Sequence, residues 1–74
     1  MPPLFKTGGF VIAMYFEDHN LPHVHVVGPD FEALVRISDQ TVFRGSIPAK
    51  FSREALKWIE DNREMLAAKW TEWH

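Results

Sequence analysis

His23-Val24-His25-Val26-Val27-Gly28-Pro29-Asp30-Phe31-Glu32-Ala33-Leu34-Val35-Arg36-Ile37 decides the fold. Side chains of a β-strand alternate between faces. The first five residues therefore put His23, His25 and Val27 on one side and Val24 and Val26 on the other. Gly28-Pro29-Asp30 carries turn chemistry, and beyond it Phe31, Ala33, Val35 and Ile37 alternate with a mainly polar set. Two runs of period two about a tight turn predict an antiparallel hairpin.

Upstream, Phe10-Val11-Ile12-Ala13-Met14-Tyr15-Phe16 is apolar throughout and rich in β-branched and aromatic residues, which predicts a strand covered on both faces and begun at Gly8-Gly9. The loop from Glu17 to Pro22 reverses the chain into the hairpin. Downstream, Ser38-Asp39-Gln40 makes another turn, and Thr41-Val42-Phe43-Arg44 gives a short last strand ending at Gly45. From Pro48 the period changes to about 3.6, with Leu56, Ile59, Leu66, Trp70 and Trp73 on one stripe and Ala55 and Trp58 on its flank. The helix starts between Pro48, suited to a first helical position, and Ser52, suited to an N-cap with Phe51 stapled onto Leu56. Asp61-Asn62 interrupts the stripe, and Asn62 is placed to cap a second helix from Arg63, so one bent helix and two short ones both fit. The expected fold is α+β: a three- or four-stranded antiparallel meander, with strands near 10–16, 23–27, 31–37 and 41–44. A C-terminal helical region over 48–73 packs on its Phe31/Val35/Ile37 face.

Seventy-four residues make one small domain, 1–74, whose apolar content of 46% must offset the ordering entropy without help from disulfides, since cysteine is absent. That absence removes thiolate metal sites and cysteine nucleophiles, fits a reducing cytosol, and leaves nitrogen and oxygen as the metal donors on offer. The N-terminus lacks the apolar run of a signal peptide, and 10–16 is too short to span a bilayer, so a soluble intracellular protein is expected. Eight basic residues scattered among ten acidic ones give a net charge of -2, which disfavours general electrostatic binding to nucleic acid or anionic lipid. A core this small also gains from burying aromatic surface against a second copy, so a homodimer is an expected partner state.

Three of the four histidines fall in Glu17-Asp18-His19-Asn20-Leu21-Pro22-His23-Val24-His25. A strand that aims His23 and His25 at the same side holds their imidazoles several ångströms apart, close enough to share one ion, and the loop delivers His19 or Asp18 to complete the shell. Pro22 stiffens that delivery. The expected site is a divalent metal held by His19, His23 and His25, with Asp18 as ligand or supporting partner, zinc first and nickel or manganese as alternatives. The same residues have a structural reading: Asp18 and Asn20 cap the turn, and the imidazoles bond to main chain. The zinc-protease spacing H-E-x-x-H, the G-x-S-x-G elbow and phosphate-cradling glycine loops are absent, and cupin barrels or metal-dependent amidohydrolases need far more chain.

Helical spacing assigns Trp70 to the core and leaves Trp58 and Trp73 nearer the rim, as candidate partner contacts. Arg36, Arg44, Lys50, Arg53 and Lys57 form a modest anion patch if the last hairpin and the helix start are neighbours; interspersed with Glu32, Glu54 and Glu60 they form a solvated face.

The run D-H-N-x-P-H-x-H after an aromatic strand resembles the hallmark of a family of small bacterial proteins, domain of unknown function 4160. The resemblance covers nearly the whole chain: Asp18 to His25, then Glu32-Ala33, Gly45 with Ile47-Pro48, Asn62-Arg63-Glu64 and Trp70. The family hallmark usually reads D-H-N-P-P-H-x-H. Here Leu21 stands at the first proline, which loosens the loop and keeps all three histidines. The resemblance implies a cytoplasmic prokaryotic protein, often encoded beside another small domain in the manner of toxin and antitoxin modules. Three functional classes follow as expectations. The first is a metal-binding protein; were it an enzyme, it would hydrolyse through metal-bound water with Glu17 or Asp18 as base. The second is an interaction module that pairs with a neighbouring gene product through the sheet edge or the Trp58/Trp73 rim. The third, weaker, is a nucleic-acid-binding regulator.

Overall fold

The computed structural model describes residues 3–15 and 21–74. Five strands, β1 (Pro3–Lys6), β2 (Val11–Ala13), β3 (His23–Val27), β4 (Glu32–Arg36) and β5 (Val42–Gly45), lie side by side in sequence order. Two helices follow, α1 (Ala49–Asp61) and α2 (Arg63–Trp73). Every neighbouring pair is antiparallel. This is the α+β meander that the hydrophobic periods predict, with five strands where three or four are expected. The addition is β1, an edge strand opened by Pro3, which an edge tolerates because its outward-facing side owes the ladder no N–H. Its register against β2 shifts between Pro3 and Phe5, so four residues carry a bulge and no period of two.

The core lies on one face of the sheet. Ile12, Val26 and Ala33 are aligned across β2, β3 and β4, and Val24 opposes Val35. Ile12, Val24, Val26 and Val35 pack with Phe10, Met14 and Ile37 against Ala55, Ile59, Leu66 and Trp70 of the helices. The spacing Ala55/Ile59 and Leu66/Trp70 is four residues within each helix, one turn apart on one face. The stripe is therefore centred on Ala55, which is fully buried, and Leu56 takes the half-buried flank. The sequence pattern suggested the reverse.

Pro48 opens α1: its carbonyl accepts from the N–H groups of Phe51 and Ser52. Ser52 is thus inside the helix and not its cap. Phe51 is not a staple on Leu56 either; its ring packs against Phe10, at 5.6 Å between centroids, and Phe31, at 6.1 Å. Gly9 owes its identity to that ring, because a Cβ there would collide with Phe51. The helical region is two helices split at Asn62, whose φ of -111° breaks the repeat. Its side chain turns back to donate to the Trp58 carbonyl at 2.8 Å, so it closes α1 and gives α2 no side-chain cap.

At the far edge, β5 carries a bulge at Phe43, since Leu34 pairs with Arg44 and Val35 with Val42. Gly45 has a φ of +72°, and a Cβ there would fall on the Glu32 carbonyl oxygen, so both the backbone conformation and the close approach require glycine. The β4–β5 turn is tied by Arg36, whose Nε donates to Asp39 Oδ1 at 2.9 Å; the same oxygen accepts from the Thr41 N–H. Among the described residues no helix is long and apolar enough to cross a membrane.

Candidate functional site

On the other face of the sheet, His25 lies opposite Ala13 on β2 and Leu34 on β4, and His23 lies opposite Arg36. Both histidines are buried, to 9% and 1% exposure, in a strand that is covered on both sides along most of its length. A buried imidazole must have its polar nitrogens satisfied, so the partners of these rings define the chemistry.

His23 Nδ1 lies 2.7 Å from the Leu21 carbonyl oxygen. A carbonyl only accepts, so Nδ1 of His23 is the donor. Pro22 fixes the backbone between donor and acceptor, which makes this contact a product of local sequence. His25 Nδ1 lies 2.9 Å from Glu32 Oε2. That contact depends on the hairpin: the ladder ends at Val27 opposite Glu32, and the Gly28 N–H closes the loop on the Phe31 carbonyl at 2.9 Å. Glu32 is thereby the diagonal neighbour of His25 on the same face, within reach of a long side chain. An ionised carboxylate accepts and does not donate, so Nδ1 of His25 also carries its proton. Both rings donate from Nδ1.

The imidazoles sit 5.2 Å apart between centroids, inclined at 47°. Aromatic walls surround them: Tyr15 meets His25 edge-on at 4.1 Å, and Phe43 meets His23 edge-on at 5.5 Å. Trp70, a member of the main core, comes within 5.3 Å of His23 and stacks on His74 at 3.8 Å. His74 in turn places Nδ1 on the Trp70 carbonyl and Nε2 on the Tyr15 carbonyl, at 2.9 and 3.0 Å. The end of α2 is thus fastened to the chain leaving β2, where the histidine loop begins.

Of the residues singled out by sequence, His23 and His25 are brought together, while Glu17, Asp18 and His19 lie outside the described residues. Among the described residues no three His, Asp or Glu side chains group as a metal set. Trp58 stacks on Phe5 at 4.9 Å, one ring face against the extra strand β1. Trp73 is half-buried against the core, with Lys69 Nζ 5.7 Å from its ring centre. The basic residues divide. Arg36 is paired with Asp39, and Lys50, Arg53 and Lys57 share a shallow surface with Glu54 and Asp61. Glu32 is the site residue that sequence reasoning passed over as a solvating charge. The signal was available: counting back from the turn puts residue 32 across from 27 and diagonal to 25.

No curated protein and no solved structure gives a significant match to this chain. A family model described as Domain of unknown function (DUF4160) matches residues 9–71, a span that runs from β2 through His23, His25 and Glu32 into α2. The chain belongs to the DUF4160 family.

Proposed function

We propose that this protein binds a divalent metal ion through His23 and His25, with His19 as third ligand and Asp18 as ligand or supporting partner, zinc being the first choice. The observation that carries the reading is the placement of Nδ1 in both rings: each lies within hydrogen-bond distance of an oxygen, which makes Nε2 the nitrogen that would take a metal. Metal-ligating histidines characteristically donate their second ring nitrogen to a carbonyl or carboxylate in this manner. Spacing supports it. With Zn–N near 2.0–2.1 Å and about 1.1 Å from nitrogen to ring centre, two imidazoles on one tetrahedral ion have centroids about 5.2 Å apart. The rings here are separated by 5.2 Å.

The test is elemental analysis of tag-free protein alongside titration with zinc, nickel and manganese. Stoichiometric metal that is lost in the His23→Ala/His25→Ala double variant supports the site. A protein whose stability is unchanged by every one of the three ions removes it. Hydrolysis by metal-bound water, with Glu17 or Asp18 as base, is the reaction class such a site would serve.

A second reading is a cytoplasmic interaction module that pairs with a neighbouring gene product, as toxin and antitoxin partners do. It draws on β5, an edge strand with three of its four residues exposed, and on Phe43 and Leu21, which are 39% and 40% exposed beside His23. Co-expression followed by size-exclusion chromatography separates the readings: a stable complex that survives alanine at all three histidines favours the module.

A further inference from the structure

The two histidines are held differently. His23 leans on a main-chain carbonyl that no side-chain substitution removes, whereas His25 leans on a side chain, and that side chain is an anion. Glu32 is 51% exposed at its side chain while that of His25 is 11% exposed, so the carboxylate reaches from solvent onto a covered ring. Nothing in the packing of β4 requires an acid there. The neighbouring positions that face the core are Ala33 and Val35, and Glu32 points away from them.

We propose that Glu32 is the positioning residue of the histidine site. It fixes His25 in the Nδ1–H tautomer, raises the donor strength of Nε2, and supplies a negative charge that neutral imidazoles lack beside a dication. This role rests on the metal reading for its purpose but not for its geometry. It makes the pair unequal, with His25 the stronger donor and the one that substitution can tune.

The experiment compares the full chain with Glu32→Ala and Glu32→Gln. Long-range proton–nitrogen NMR of the histidine rings reports the tautomer without metal, and calorimetric titration with zinc alone reports affinity. Glutamine carries no charge and can accept from Nδ1–H through its amide oxygen, so it separates hydrogen bonding from electrostatics. The expected result is an Nδ1–H signal for His25 in wild type and Glu32→Gln and its loss in Glu32→Ala. Zinc affinity should fall about 10–100-fold in Glu32→Ala and by less in Glu32→Gln. An unchanged tautomer in Glu32→Ala, or equal zinc affinity in all three proteins, overturns the proposal. If wild type binds no zinc, the metal reading fails, and the ring signals alone decide whether Glu32 positions His25. If Glu32→Ala does not fold, wild type carries the test: a His25 ring with Nε2–H and no Nδ1–H overturns it.

Discussion

The two faces of β3 are buried by different means. Toward the helices, Val24 and Val26 join an aliphatic layer with Ile12, Val35 and Ile59; on the reverse, His23 and His25 are covered by aromatic edges and by oxygen acceptors. The aliphatic side is held by apolar area, which is non-directional and tolerant of small shifts. The imidazole side is held by contacts with fixed geometry, in which a misplaced partner leaves a polar atom stranded. A chain this small has little apolar area to spare, yet two of the five β3 positions are histidine.

Substitutions can break that contrast. The largest effect belongs to the aliphatic side: Ile59→Ala, at a position with no exposure, should cost about 2–5 kcal/mol and lower Tm by roughly 10 °C or more, read by thermal denaturation. Next, zinc at about 100 times its Kd should stabilise wild type by about 2.7 kcal/mol and leave His23→Ala/His25→Ala where it was. His23→Leu keeps apolar volume but strands the Leu21 carbonyl, for a loss of about 1–3 kcal/mol in chemical denaturation. A loss as large as that of Ile59→Ala would erase the distinction between the faces.

The smallest effect lies in the β4–β5 turn, outside both faces. The hydrogen bond from Arg36 holds the Asp39 carboxyl well below the usual carboxylate range. A lowered folded value means that this pair stabilises above the unfolded carboxylate value of about 4 and that its contribution is lost as pH falls through the lower folded value. Tm measured from about pH 5 to pH 2 should therefore drop slightly more steeply in wild type than in Asp39→Asn, the pair lying at the surface.

The hairpin, the helical stripe and the pairing of His23 with His25 were legible because each is written in a period: two for β3 and β4, about 3.6 for the helices. What escaped has no period. β1 is four residues with a bulge, Phe51 reads equally as a staple or a core ring, and Asn62 marks a helix break without saying which helix it serves. Glu32 escaped for a different reason, since its partner is fixed by register across a turn and not by spacing along the chain.

The strand order also has a kinetic meaning. Each strand pairs only with those before and after it, so every hairpin joins strands adjacent in sequence and the sheet can zip up as it is synthesised, with little entropy spent on distant encounters. Its greasy side, however, stays uncovered until residues 49–73 leave the ribosome and dock as α1 and α2. A nascent chain stalled short of Trp70 would present a ready surface for aggregation or for a chaperone.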